Sequence, residues 1–554
     1  MEDKGDERGS IVGGNKDSSW FEVGELREVV NRPVSRRSLL KGAAAMGAVA
    51  ALGPIASACG GGEASTGEEG TPSGEPKKGG DLKIGIVGGS AKDTADPHLA
   101  AFEADISNEY IMYEGLTGYD FDANLINYMA EPIEPNDDAS VWQVKLKDGL
   151  TWHDGSPVTA DDVVYTFERI VDPKDPKSGA ATLSGLSKGG TVKTGDLTVE
   201  FRLESPNVLL PEAFSFRGCM MVPAGFDPKK PIGSGPFKLV ELRPGEQWSY
   251  LPFEGYREGA PYVDSLTMIE FGDETARVNA LTSGEVHAIS QAPTNQTKMI
   301  EATEGLALLN AENGAWRPFT MRIDVKPYSD VRVRQAFRLI VNRQQMIDHA
   351  YNGFGSLAND MYGRFDPGTP DLPQREQDIE QARSLLKQAG YDNNLTVELV
   401  TSGEALGADE VAAAQVFAEQ AKEAGVTVTL KKTDSATFYG KDYLSWPFAQ
   451  DFWLTRGYLS QAGQGTMPGA PYNETHWKND EWLAIVNEAF KTVDDAKRNE
   501  LIAKAQEIEY NEGGLIIWAW RNQVDAYSPK ITGLKKDPMG MWLGRCDFTE
   551  VYFV

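Results

Sequence analysis

What the chain has little of narrows it first. Its 554 residues include only three cysteines and five histidines. Three thiols are too few for a disulfide-built scaffold or an all-cysteine zinc site. The histidines, at 98, 153, 287, 349 and 476, form no zinc-like cluster, and there is no H-E-x-x-H. Positive charge is also scarce: 54 Lys and Arg stand against 82 Asp and Glu, a formal net charge of −28. Such a surface repels phosphate backbones, so nucleic acid is excluded as a partner. Long apolar runs are missing beyond the N-terminal region, which excludes a polytopic membrane protein. What remains is 41% hydrophobic and 25% charged. That describes a large, acidic, globular chain with enough length for a two-lobed body.

The first eighty residues read as an address and a tether. Residues 1–34 are polar, without a sustained period. Ser35-Arg36-Arg37-Ser38-Leu39-Leu40-Lys41 then leads into the small-residue apolar stretch Gly42–Ala58, broken at Pro54. A positive segment, a short apolar run and small residues before a cleavage point make a secretory signal; the run is too short and too weakly hydrophobic for a permanent span. The paired Arg36 and Arg37 resemble a twin-arginine signal, which implies export of an already folded protein. Ala56-Ser57-Ala58-Cys59-Gly60 resembles a bacterial lipoprotein box, with Ala56 where most such boxes carry Leu. Lipid on Cys59 would hold the mature protein at the outer face of the cytoplasmic membrane. Gly60–Gly80 holds no large apolar residue and reads as a flexible leash. Cys219 and Cys546 remain, and in an oxidising compartment they could pair.

The body interleaves strand and helix signals without a fixed repeat. Leu82, Ile84 and Ile86 of Asp81–Val87 alternate with polar or small residues, the period of a half-buried strand, as do Leu197, Val199, Phe201 and Leu203 of Thr191–Glu204. Thr159 and Asp162 read as an N-cap hydroxyl with a carboxylate three residues on, opening a helix whose stripe is Val163, Val164, Phe167 and Ile170. A further helix near Asp330–Asp348 carries its stripe through Val333, Ala336, Phe337 and Ile340. In 377–430 a helix stops at Gly390, a strand spans Leu395–Val400, a helix near Ala408–Ala424 stops at Gly425, and a strand follows over Val426–Leu430. Strand, helix, strand with short links predicts a βαβ unit with parallel strands. The fold class is therefore mixed α/β.

Several runs together resemble one family, the solute-binding proteins of ABC importers (family 5, the oligopeptide-, dipeptide- and nickel-binding group). The strongest is the segment 146–163, Leu-Lys-Asp-Gly-Leu-Thr-Trp-His-Asp-Gly-Ser-Pro-Val-Thr-Ala-Asp-Asp-Val. Asp93–His98, Tyr113-Glu114-Gly115-Leu116, Pro231–Phe237 and Asp330–Phe337 support it, in the family's order over roughly residues 80–540. The chain departs from the pattern at His287, where the family usually carries an acidic residue. The resemblance implies a bilobed periplasmic-binding-protein-like fold, two mixed α/β lobes joined by a hinge with ligand in the cleft between them. On that reading 1–58 is the signal, 59–80 the tether, 81–315 lobe I, 316–519 lobe II and 520–554 the return to lobe I. It implies a monomer that binds a peptide or other small solute and docks on importer permease subunits, with no cofactor and no catalytic set.

A peptide's ammonium cannot be buried without a partner, so the cleft needs a fixed carboxylate. Asp451 matches the aromatic-flanked aspartate that binds the peptide amine in oligopeptide binders, and Trp446, Phe452 and Trp453 stand beside it. The plain alternative is that these rings are core and Asp451 caps a turn. Trp518 and Trp520 alternate on an apparent strand near the second crossing and share one face, as cleft rings or as core. Ser290 and Gln291 fall where family members contact peptide backbone. Gly88, Gly89 and Ser90 end the first strand and could pair with an extended ligand. Arg456 reads as a solvated arginine that could meet a ligand carboxylate. His153 and Asp154 read as a structural turn rather than a metal or acid–base pair.

Three other readings stay open. An exported hydrolase would explain Gly185-Leu186-Ser187-Lys188-Gly189, a G-x-S-x-G match, but the match sits in what reads as a Gly/Ser-rich loop without the strand and helix that motif needs. A binder of a nickel chelate, haem, or a cationic or sugar solute would keep the fold and change the ligand. An adhesive or signalling lipoprotein would bind no small molecule.

Overall fold

The computed structural model describes residues 76–554; Arg36, Arg37, Cys59 and most of the leash lie outside the described residues. The alternating strand Asp81–Val87 buries Leu82, Ile84 and Ile86 completely. It is the central strand of a seven-stranded mixed sheet, parallel to Ser265–Phe271 on one side and to Ala288–Ile289 on the other. Gln247–Pro252 and Phe237–Arg243 extend one edge in antiparallel fashion. On the other side, Gln523–Tyr527, from the far end of the chain, inserts between Ala288–Ile289 and the edge strand Ala307–Ala311.

A five-stranded sheet is built from the intervening segment, in the order Val426–Lys432, Leu395–Thr401, Phe448–Gln450, Phe319–Met321, Leu515–Ile516. Its first two strands are parallel and in register from Leu395 opposite Val426 to Thr401 opposite Lys432. Helix Ala408–Glu423 connects them, so the expected βαβ unit is present. A third, four-stranded antiparallel sheet carries Glu134–Pro135, Val141–Lys145, Thr198–Leu203 and Leu186–Lys193 beside helix Ala160–Ile170. That helix opens as its residues dictate: Asp162 Oδ2 accepts from the Thr159 N–H at 2.7 Å, closing a capping box. Among the described residues no helix is long and apolar enough to cross a membrane.

The runs that carry the family resemblance are struts between elements. His153 donates from Nε2 to the Gly235 carbonyl (2.9 Å) and accepts from the Gly233 N–H at Nδ1 (3.2 Å), an arrangement that needs a neutral ring. Burial lowers its pKa to about 4. Gly233 in turn packs so closely on the Met112 carbonyl that a Cβ there would lie 1.9 Å from the oxygen. Arg334 and Arg338, from the Asp330–Phe337 run and its continuation, donate to carbonyls at the end of helix Asp495–Glu512 and just beyond it. His287 is likewise structural, accepting from the Lys83 N–H at 3.0 Å and meeting Phe553 edge-on.

Two expectations are corrected. Residues 186–189 begin the strand Leu186–Lys193 rather than a loop, and Ser187 donates its hydroxyl to Glu204 with a further strand rather than a helix after it. Cys219 and Cys546 are both free and buried. They lie in separate apolar clusters, Cys219 with Phe167 and Phe201, Cys546 with Leu543 and Phe548, so no bond joins them.

Candidate ligand-binding site

The first-strand side of the site is well tied within its own sheet. Gly88 donates to the Phe271 carbonyl, and Gly89 donates to Glu270 Oε2 at 2.7 Å. Ser90 Oγ accepts from the Lys92 N–H. These residues close the strand end, and the two glycine N–H groups already have partners. Ser290 is fully buried and gives its hydroxyl to Glu103, which also takes the side-chain amide of exposed Gln291. The Gln291 N–H goes to Asp525 Oδ1 at 2.8 Å. Burial, outweighing these donors, raises the Glu103 carboxyl to about 7.

Asp451 follows the short buried strand Phe448–Gln450 and is itself 3% exposed. Its Oδ2 accepts from Tyr443 Oη at 3.0 Å and its Oδ1 from the Phe452 N–H at 2.8 Å. Glu474, also buried, faces it. Desolvation lifts Asp451 to about 6, and desolvation plus the facing carboxylate hold Glu474 well above the usual range. The two carboxyls and Gln450, Tyr443 and Trp446 line a cavity of ≈ 10 Å³, room for roughly one water. Gln450 Oε1 and Glu474 Oε1 have no hydrogen-bond partner among the described residues. A buried cavity lined by unpaired acceptors suits a small donor-rich cation.

The aromatic neighbours divide. Phe452 is 38% exposed, with the Arg317 guanidinium 5.2 Å from its ring centre. Trp446 is half-buried, donates to the Phe438 carbonyl and carries Lys431 over its face. Trp453 stacks on Trp316 at 5.9 Å, and Trp316 on Tyr362 at 5.8 Å, an internal column rather than a free face. Trp518 and Trp520 do not share one face. The strand breaks between Leu515–Ile516 and Ala519–Arg521, so Trp518 is fully buried against Tyr351 (4.8 Å), while Trp520 joins the Trp316 group.

Sequence reasoning missed the charged residues around this face. Arg317 and Arg521 stand on two segments that run side by side: Arg521 donates its N–H to the Ala315 carbonyl, and Trp316 pairs with Trp520. Arg521 Nη2 reaches Asp409 at 3.3 Å, and Thr294, close in sequence to Gln291, donates to the same carboxylate at 3.2 Å. Glu410 accepts from Tyr351 Oη at 2.8 Å. The only sequence signal was the repeated Trp-Arg pair, which periodicity alone does not distinguish from core and surface. Arg456 is not solvated: half-buried against the Trp453 ring, it has the Glu212 carboxylate for a counter-charge.

Residues 124–469 match the bacterial extracellular solute-binding proteins, family 5. The chain belongs to that family. Residues 33–53 of this family 5 protein match the twin-arginine translocation signal, so it is exported. The glutathione-binding protein GsiB of Pectobacterium atrosepticum is 27% identical over 475 residues, covering 81% of this chain and 90% of the relative. The ABC transporter substrate-binding protein CtaP of Listeria monocytogenes superposes with a TM-score of 0.76 at 25% identity, over 86% of this chain and 100% of that one. DppA of Helicobacter pylori, solved with the peptide STSA, shares the fold with a TM-score of 0.68 at 19% identity, over 86% and 98%. The family 5 protein is thus a binding protein with the bilobed periplasmic-binding-protein-like fold.

Proposed function

We propose that this family 5 protein captures short peptides outside the cytoplasmic membrane and delivers them to the permease subunits of an ABC importer. The observation that carries the reading is Asp451: a buried carboxyl lining a water-sized cavity in which Gln450 Oε1 and Glu474 Oε1 are unpaired, with the exposed Phe452 ring next to it in the chain. A peptide ammonium supplies the three donors such a cavity lacks. That relatives are named for glutathione, itself a small peptide, and that a fold neighbour holds the tetrapeptide STSA, supports the same ligand class.

The topology supports assigning 81–315 and 520–554 to one lobe and 316–519 to the other, with closure about the paired segments at Trp316 and Trp520. Cys59 is assigned as the lipid anchor, followed by the leash to residue 80, and the mature protein as a monomer. Native mass spectrometry of residues 60–554, followed by denaturation to release what is bound, tests the ligand. Peptide masses retained by the wild type and lost by Asp451→Asn are expected; a single non-peptide mass would overturn the peptide assignment and leave the family role standing.

A further inference from the structure

One wall of the Asp451 cavity comes from a single stretch of chain. Between the strands Val426–Lys432 and Phe448–Gln450 the chain makes a short helix, Ser435–Phe438, and then a series of turns that reaches Trp446. Phe438, Tyr443, Leu444 and Trp446 of this stretch line the cavity, and the Tyr443 hydroxyl donates to Asp451. The turns are closed locally, by the Tyr443 N–H on the Gly440 carbonyl at 3.0 Å and the Ser445 N–H on the Asp442 carbonyl at 2.8 Å. Leu444, between them, takes a left-handed backbone with φ 64°. A leucine persists there only where its surroundings hold it.

A second left-handed residue supplies the hold. His476, φ 52°, lies two residues beyond Glu474, which lines the same cavity. Its Nε2 stands 2.9 Å from the Leu444 carbonyl and its Nδ1 3.3 Å from Asp324 Oδ2. Arg322 grips the same carboxylate through Nε and Nη2, at 3.0 and 2.6 Å, and donates from Nη1 to the Ser445 carbonyl at 3.0 Å. Two consecutive carbonyls of the wall are thus pinned, one by a permanently charged guanidinium and the other by an imidazole.

Both partners of that imidazole are acceptors. A carbonyl and a carboxylate can only accept, and a neutral ring has one N–H to give. Whichever tautomer forms, the neutral ring turns a lone pair toward Leu444 or toward Asp324; the imidazolium satisfies both. The Arg322 guanidinium beside Asp324 holds its carboxyl below the usual range, so the carboxylate stays charged while the ring titrates. Of the other charged groups here, Lys441 and Asp442 precede the wall and Lys478 follows His476 in sequence, while Asp451 and Glu474 face the wall from inside the cavity.

We infer that His476 and Asp324 form a pH-sensitive clasp on this wall, closed on the Leu444 carbonyl while the ring is charged and open when it is neutral. A ligand ammonium in the cavity is then held less firmly as pH rises, a consequence that rests on the peptide reading; the clasp itself does not.

The test is amide hydrogen exchange of residues 60–554, freed of bound solute and expressed as protection factors at pH 5.5 and 8.0, the range across which histidines change charge. In the wild type, protection at Tyr443 and Ser445 should fall about fivefold from the lower pH to the higher, the scale of one partly exposed charged contact, while the amides of Leu395–Thr401 keep theirs. His476→Asn tolerates the left-handed backbone but cannot span both partners, and should show the low value at both pH values. Asp324→Asn should show the high value at both, because an amide can donate to the bare Nδ1 of a neutral ring. If His476→Asn fails to fold, Asp324→Asn carries the comparison. No fall in the wild type, a fall shared by Leu395–Thr401, or one that survives in Asp324→Asn overturns the clasp. So does a fall that survives in His476→Asn, which would assign the effect to Asp451 and Glu474. None of these outcomes touches the peptide reading, which the mass of the released ligand decides.

Discussion

Two carboxyls in contact, Asp451 and Glu474, cannot both hold charge in a dry cavity without a cation between them. Asp451→Asn should therefore weaken a peptide with a free amine by about 30-fold or more while leaving its N-acetylated form, already weak, unchanged. Calorimetric titration of the two forms checks this, and equal loss for both would show that the substitution damaged the fold rather than the charge pair. Other buried carboxyls set a pH signature for the empty protein. Glu103, Glu410 and Glu509 are raised by burial from 4.5 to about 7. Between those values the native state keeps protons the unfolded chain has lost, so stability falls as pH rises through that window and levels off above it. The buried His98 and His153, lowered from 6.5 to about 4, act with the opposite sign, but only below 6.5. The melting temperature should thus drop as pH rises from 6.5 through about 7 and level off above it, and the drop should shrink in Glu509→Gln; a rise over that range contradicts the assignment. Asp451 was legible in the sequence because its aromatic flank is local. Arg317, Arg521 and Glu474 were not, because they are distant in sequence from one another and from that flank and only the fold brings them near it.

At the scale of elements, the most recognisable motifs prove to be joints. The His153 run, the Gly233 run and the end of helix Glu103–Met112 meet at one point, where the Gly235 N–H donates to the Met112 carbonyl at 2.8 Å. Gly233→Ala should destabilise the protein by about 3 kcal/mol, since backbone rather than a flexible side chain blocks the new Cβ. Asp162→Ala removes the capping box and the acceptor of the Ala224 N–H (2.8 Å), and should cost about 2 kcal/mol. Urea midpoints at unchanged slope measure both, and a loss below about 0.5 kcal/mol in either would refute the joint. The βαβ unit over 395–432 was readable because period, caps and glycine stops all agree there. The strand at Leu186–Lys193 was not, because glycine and serine hide its alternation, and its register shifts between Leu186 and Thr191. The break before Ala519 was equally invisible, and it separates Trp518 from Trp520.

At the scale of the whole molecule, the bilobed α/β architecture followed from the order of the family runs, while the crossings near 315 and 520 are proposed from the same resemblance. If Cys59 carries lipid, Cys59→Ala should move the exported protein from the membrane fraction to the soluble fraction without changing its melting temperature; retention in the membrane would remove the anchor from the proposal. The seven-stranded sheet has a consequence for synthesis. Its strand Asp81–Val87 emerges early, but Gln523–Tyr527, which lies inside the sheet, emerges last. The ribosome has therefore made the entire five-stranded sheet before the first sheet can close, so the middle of the chain is able to fold while the earlier part waits. A chain stopped before residue 523 would leave Ala288–Ile289 and Ala307–Ala311 facing a gap, with an apolar edge exposed. An export route that takes only folded cargo would hold such a chain back, and the signal at the first residues is thus conditional on a strand near the last.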